Sequence, residues 1–321
     1  MDIKINFINE PDTIALKQAY TDALDEVMAG DKEVMTVEAD LSAASGVLSI
    51  EEKYPDRVLN VGIAEANMIG MSAGLSRTGK KVYAHSFAAF VARRAFDQIF
   101  ISCAYGKNSL RLYGSDPGVY TAFNGGTHMS FEDLGIMRTI PGAVIFDVCD
   151  SVMMGKVVKM VKDIPGIVYF RAGRGVEPKI YPDDTEFPVG KSKVLIDGSD
   201  VVIFTGGVVV SEALKAAKLL EDKGISAAIV DLYCVKPIDA DTIVSFAKKT
   251  GAVVTTDNHN VNGGLGDAVA SVLCEKCPTP MLKLGINEEF GEVGSVDFLK
   301  GRFGLDAEGI AKKAEEALKL K

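Results

Sequence analysis

Apolar positions along this chain fall into two alternating rhythms. From Ile14 to Met28, the residues Leu16, Ala19, Tyr20, Ala23, Leu24 and Val27 recur at the three- and four-residue spacing of a single helix face. EVMTVEAD then reads as a short strand, and a second helix is expected from about Glu65 to Leu75. KVYAHSF, SLRLYGS, AVIFDV and GIVYFR are short apolar runs rich in β-branched and aromatic residues, which predicts further strands. Strands that alternate with helices in this way predict a mostly parallel α/β sheet.

The rhythm breaks in RGVEPKIYPDDTEFP, a stretch rich in Pro, Gly and Asp without apolar periodicity, which reads as an interdomain linker. Beyond it, DVVIFTGG, VVVSEALKAAKLLEDKG and SAAIVDLY give a strand, a helix ended by Gly224, and another strand. AVVTTDN and MLKLGI continue the series, and residues 306–321 form an amphipathic helix with Ile310, Ala314 and Leu318 on one face. The expected fold class is therefore α/β, with two consecutive, mostly parallel-sheet domains at residues 1–188 and 189–321. No repeat or low-complexity segment interrupts them.

Charge and composition narrow the function. A chain of 321 residues with 47% hydrophobic content has enough apolar material for a sizeable core. Its net charge of -9 argues against a nucleic-acid partner, because that affinity rests on clustered Lys and Arg. No apolar run approaches the length of a membrane span, and the start MDIKINFINEPD lacks a signal peptide's apolar region, so no membrane association and a cytoplasmic location are expected. The cysteines Cys103, Cys149, Cys234, Cys274 and Cys277 are too sparse for a disulfide scaffold and read as reduced thiols. CEKC lacks two further zinc ligands, so core cysteines at helical spacing are expected there.

Candidate chemistry concentrates in a few segments. In NVGIAEANMIGMSAGLS, Glu65 interrupts a helix otherwise built of small and apolar residues. A carboxylate sheltered in such a place can share or donate a proton near neutral pH, whereas the plain alternative is a helix-start Glu that satisfies backbone N–H groups. Phe87 and Phe90 precede an amphipathic helix in HSFAAFVARRAFDQIF, and the long Gly-rich loop YGSDPGVYTAFNGGTH carries Asn124 and His128. For both segments a core or structural role is the alternative. TGGVVVSE reads as turn geometry before a helix, with an anion site as its alternative. His259, in TTDNHNVNGG, ends a strand at a place suited either to a site or to local capping. Arg171 and Arg174, in YFRAGRG, could face an anionic group or solvent.

Taken together, EADLSAAS, RVLNVGIAEANMIGMSAGLS, SFAAFVARRAFDQ, GGTHMSFEDLGIMRTIPGAVI, YFRAGRG, VDLYCVKPID and TDNHNVNGGLGDAVASVL resemble, in order, the C-terminal half of transketolases. The resemblance is closer still to the separately encoded C-terminal-half subunit of split transketolases. It implies a thiamin-diphosphate pyrimidine-binding domain followed by a transketolase C-terminal domain. It also implies a partner subunit carrying the diphosphate domain and Mg2+, whose GDG-type motif does not occur in this sequence. A homodimer of this chain within an α2β2 assembly is expected on the same basis.

By the same resemblance, Glu65 hydrogen-bonds the cofactor's aminopyrimidine, while Phe90 and its neighbour Phe87 stack on that ring. Asp40 lies near the cofactor at the subunit interface. His128 serves the reacting carbon or a substrate hydroxyl, Asn124 replaces the family's usual aspartate near the sugar, and Arg171 clamps a substrate phosphate. The implied reaction is transfer of a two-carbon ketol unit from a ketose, in phosphorylated or similarly anionic form, to an aldose. The alternatives are a deoxyxylulose-phosphate synthase-like enzyme, a 2-oxoacid dehydrogenase β subunit, or a non-catalytic partner. Asn124 and the Ser115–Asp116 region, which replaces a family histidine, predict a substrate other than the common pentose phosphates.

Overall fold

A computed structural model describes residues 11–321. The first ten positions, on which the reading of the N-terminus rests, lie outside them. Two sheets organise the described residues. The first contains β1 (Val34–Glu38), β2 (Val58–Asn60), β3 (Lys81–Phe87), β4 (Leu110–Ser115), β5 (Val144–Asp147) and β6 (Ile167–Ala172). The second contains β7 (Lys193–Ile196), β8 (Val201–Thr205), β9 (Ala227–Asp231), β11 (Val253–Asn260) and β12 (Met281–Ile286). The short β10 (Cys234–Lys236) belongs to the first sheet, whose order is β10-β5-β6-β4-β3-β1-β2. The second runs β12-β11-β8-β9-β7. All neighbours are parallel except the antiparallel pairs β10–β5 and β7–β9.

The apolar runs are nearly continuous because helices cover both faces of each sheet. On the first sheet, Tyr83, Tyr113, Phe146 and Phe170 face one way, into the cluster containing Leu16, Tyr20 and Leu24 of the helix Leu16–Gly30. Their strand neighbours Ala84, Leu112, Ile145 and Tyr169 face the other way, toward Met68 and Ile69 of the helix Glu65–Arg77. This period of two lets one strand feed two cores.

Two expectations need correction. Phe90 does not precede its helix but lies within Ala88–Arg94, while Phe87 ends β3; Ala95 then leaves helical geometry, and a π-helical turn occupies Ile99–Tyr105. Cys274 is exposed rather than buried in a core, although all five cysteines are unpaired. β10, although it follows the linker in sequence, completes the first sheet.

The two sheets are joined by a dense polar seam. Asn258 Oδ1 accepts from Val119 N–H at 3.0 Å, and its Nδ2 donates to Pro117 O at 2.8 Å. Gly118 sits at φ 53 with no room for a Cβ, which would meet Asn258 Oδ1 at 2.1 Å. Arg138 Nη1 donates across to Gly264 O at 2.9 Å. Among the described residues, no helix is long and apolar enough to cross a membrane.

Candidate active site

In open parallel sheets, functional groups gather beyond the carboxyl ends of the strands. Here Glu38 ends β1, Ser86 and Phe87 end β3, and Ser115 ends β4, so the helix beginning at Glu65 starts at the same edge. The side chain of Asn60 ties this edge together by accepting from the N–H groups of Asp40 and Gly62, each at 3.0 Å. Asp40, at φ 63, remains exposed there.

Glu65 is only 3% exposed, and its carboxylate has specific partners. Ser86 Oγ donates to its Oε1 at 3.3 Å, and Arg94 Nη1 lies 3.1 and 3.3 Å from its two oxygens. The carboxyl is sheltered, as the sequence led one to expect, and a guanidinium holds it. The same guanidinium lies over the Phe90 ring, 3.9 Å from its centroid, while the Arg94 side chain is 49% exposed. A planar, cationic N–H donor therefore sits between the Phe90 face and the Glu65 carboxylate.

His128 joins this group edge-on, with its ring 4.9 Å from Phe90 and 6.1 Å from Phe87. Its loop is fastened to the phenylalanine helix by Arg93, whose Nη2 donates to Thr127 O and Met129 O at 3.1 and 3.3 Å. Asn124 is exposed on the same loop, two residues after Ala122 in a left-handed backbone conformation at φ 50. Beneath the edge, the buried His85 ring bridges Glu38 Oε2 at 2.8 Å and Ser115 Oγ at 2.9 Å. A carboxylate only accepts, so Nδ1 of His85 carries a proton.

The arginine expected to clamp substrate is not at the opening. Arg171 is fully buried. Its Nη1 meets Asp133 Oδ1 at 2.9 Å and its Nη2 meets Asp147 Oδ2 at 2.8 Å. Burial works against its charge, but the two aspartates outweigh that and raise its pKa. A guanidinium committed in this way has no face left for a substrate anion.

Arg174, three residues on, takes the open position. It lies over Phe87 at 5.0 Å and pairs with Asp116 at 2.6 Å. Burial pushes Asp116 above the usual carboxylate range, against the pull of Arg174. Both border an interdomain cleft of about 550 Å³ that also reaches Tyr120, Lys215 and Lys300.

His259 resolves into a structural role. Nδ1 lies 2.8 Å from Asn260 O, so it donates, and Nε2 accepts from Gly135 N–H at 3.2 Å. Burial lowers its pKa, in keeping with this neutral tautomer.

The site therefore unites Glu65, Phe87, Phe90 and His128, with Asn124 at its rim, and adds Arg93, Arg94 and Arg174. The signal for Arg94 was its place four residues after Phe90, a spacing that puts two side chains on one helix face. The signal for Arg174 was its place beyond the end of β6, whereas Arg171 lies inside it.

Two consecutive α/β domains, the first with a buried helix-start glutamate beside two phenylalanine rings tilted at 51° to each other, frame the site. The transketolase pyrimidine-binding domain matches residues 12–178, and the transketolase C-terminal domain matches residues 190–310. The chain is 43% identical over 306 residues to the 6-deoxy-6-sulfo-D-fructose transketolase subunit SqwH of Clostridium sp. (strain MSTE9), covering 95% of both. It is 36% identical over 307 residues to an apulose-4-phosphate transketolase subunit of Phocaeicola vulgatus, covering 95% of this chain and 98% of that one. A solved structure described as a split gene transketolase, inactive beta4 tetramer, superposes with a TM-score of 0.88 at 39% identity, covering 97% of this chain and all of that one.

The chain belongs to the transketolase family. It is a subunit of a split, thiamin-diphosphate-dependent transketolase-like enzyme that transfers ketol units and works with an N-terminal-half partner. These relatives do not favour the synthase, dehydrogenase or non-catalytic alternatives.

Proposed function

We propose that Glu65, Phe87 and Phe90 hold the aminopyrimidine of thiamin diphosphate, while the partner subunit holds the diphosphate and Mg2+. The observation that carries this reading is the Arg94 guanidinium stacked on Phe90 and hydrogen-bonded to Glu65. A flat nitrogen heterocycle with N–H groups fits the same slot by the same two contacts, so Arg94 stands in for it and swings away when it enters.

When bound, the cofactor supplies the electron sink for carbon–carbon bond cleavage. Glu65 hydrogen-bonds the pyrimidine ring nitrogen and controls the proton there, and Phe90 and Phe87 fix the ring plane. His128, edge-on to both rings, holds a substrate hydroxyl or moves its proton. Arg174 binds the anionic end of the ketose, with Asp116 orienting its fork. Asn124 both donates and accepts at the rim, where a carboxylate would only accept.

The substrate is an anionic ketose other than xylulose 5-phosphate, with ribose 5-phosphate a poor acceptor. The named substrates of two relatives, a sulfo-sugar and a sugar phosphate, both carry such an anionic end. The assembly is an α2β2 complex around a homodimer of this chain, residues 1–188 form the pyrimidine-binding domain, and the location is cytoplasmic.

Glu65→Gln tests the reading, because it preserves shape and a hydrogen bond but removes the titratable proton. The reconstituted complex should lose ketol transfer by about 10²–10⁴-fold, the usual worth of positioned acid–base groups, with normal assembly. Wild-type exchange of the cofactor's C2 proton by a normally assembled variant would sink the assignment.

A further inference from the structure

Large apolar side chains on this strongly acidic chain cluster beside the site. Phe123 is 73% exposed on the His128 loop, and Phe290 and Val293 are 97% and 64% exposed on the segment linking β12 to the helix Val296–Phe303. The two segments touch through backbone. A Cβ on Gly126 would meet Gly291 O at 2.3 Å, and one on Gly125 would meet Val293 Cγ2 at 2.8 Å. Phe298, also exposed, continues the patch next to Gly294, where a Cβ would meet Phe298 Cδ1 at 2.5 Å.

This display is held rather than loose. Ala122 precedes Phe123 at φ 50 and Glu288 precedes the Phe290 turn at φ 57, a conformation that L side chains adopt at a cost. Arg302 braces the second segment from behind through Glu289 and Glu292. Asn262 Nδ2 donates to Glu288 Oε1 at 2.7 Å from the domain seam. An exposed apolar cluster fixed in this way marks an interaction surface.

We propose that Phe123, Phe290, Val293 and Phe298 form a docking surface for the N-terminal-half partner subunit, so that the C-terminal domain helps to seat the diphosphate-binding chain. The inference rests on the Glu65–Phe90 slot being the half-site that the partner completes. The partner has to cover the open side of that slot, and the patch is continuous with it through residues 123–128. A complementary apolar face on the partner fits it, with polar groups around the rim to meet Glu289, Glu292 and Arg302.

The test is titration of the separately purified partner chain against the full-length protein, by calorimetry and by recovery of ketol transfer. Phe290→Ser combined with Val293→Ser should weaken partner binding at least tenfold, as loss of an aromatic anchor does. At saturating partner, kcat should change less than about threefold, because neither residue touches the slot. Leu320→Ser, at an exposed apolar residue just beyond the helix Ala307–Leu318, should leave binding unchanged. Unchanged partner affinity in the double variant overturns the proposal. So does a lowered kcat at saturating partner with unaltered affinity, which would make the patch a substrate lid. Loss of self-association by the isolated chain in place of partner binding overturns it as well, by making a second copy the occupant. Failure of the cofactor-site reading would show differently, as a complex that forms with full affinity yet whose activity ignores Glu65.

Discussion

Two arginine–carboxylate groups lie along the same sheet edge, and they do opposite work. Arg94 and Glu65 pair at the surface side, with the guanidinium half exposed and lying on an aromatic ring. Arg171, Asp133 and Asp147 pair in the seam between the domains, with every member buried. Helix ends and strands along this edge thus supply charged groups to two destinations, and accessibility decides which can meet a ligand. The open pair can exchange its guanidinium for another partner. The closed one cannot, because any departure leaves buried charges unmatched.

The sharpest way to break this contrast is Arg171→Met. Removing one member of a buried ion cluster should destabilise the chain by about 3–5 kcal/mol, read as a lowered denaturant midpoint. An unchanged midpoint together with a raised KM for the anionic ketose would return Arg171 to the substrate site.

Arg174→Ala should give the converse result. Loss of a charge-assisted contact at the opening should raise KM for an anionic ketose by about 10–100-fold, with a small change in stability. Because Asp116 is left without its cation, Arg174→Gln serves as the gentler comparison. A KM indifferent to both changes would place the anion elsewhere.

Asp257 sharpens the picture through pH. It is fully enclosed in the seam, and burial pushes its pKa up to about 7 despite nearby Arg171 and the Leu265 N–H it accepts from at 2.7 Å. The unfolded chain ionises near the ordinary carboxylate value while the folded chain still holds its proton. Stability should therefore fall as pH rises from about 4 to about 7, by up to about 1.4 kcal/mol per pH unit from this group, and level off above. Asp257→Asn should flatten that slope, as measured by denaturation at a series of pH values. An unchanged slope would show that Asp257 is ionised in the fold.

Much of this was legible in sequence because strand periodicity and helix periodicity are strong local signals. KVYAHSF coincides with β3, and Glu65 begins its helix where its apolar neighbours first adopt a helical period. Phe87, Phe90 and His128 were legible as a group only through the resemblance, since nothing in their spacing tells that a loop will bring the histidine to the ring edges.

What stayed hidden was long-range pairing. Arg94 reaches a residue 29 positions earlier, and Arg171 finds partners 24 and 38 positions away. One local cue could have separated the arginines: Arg171 falls inside the apolar run GIVYFR, whereas Arg174 falls beyond it between two glycines. β10 was missed because three residues before a proline carry too little pattern to announce a strand.

That small strand has a consequence for how the molecule is made. On a ribosome, β1 to β6 emerge and can pair while the outer side of β5 still presents bare N–H and C=O groups. An unpaired edge of this kind is a template for pairing with a neighbouring chain. The edge is closed only when Cys234–Lys236 arrives, after the linker and the first βαβ unit of the second domain have been synthesised. The first sheet is therefore finished by a strand that is made after most of its neighbours' domain, which ties the two halves of this subunit together by the order of the chain as well as by the contacts of the finished fold.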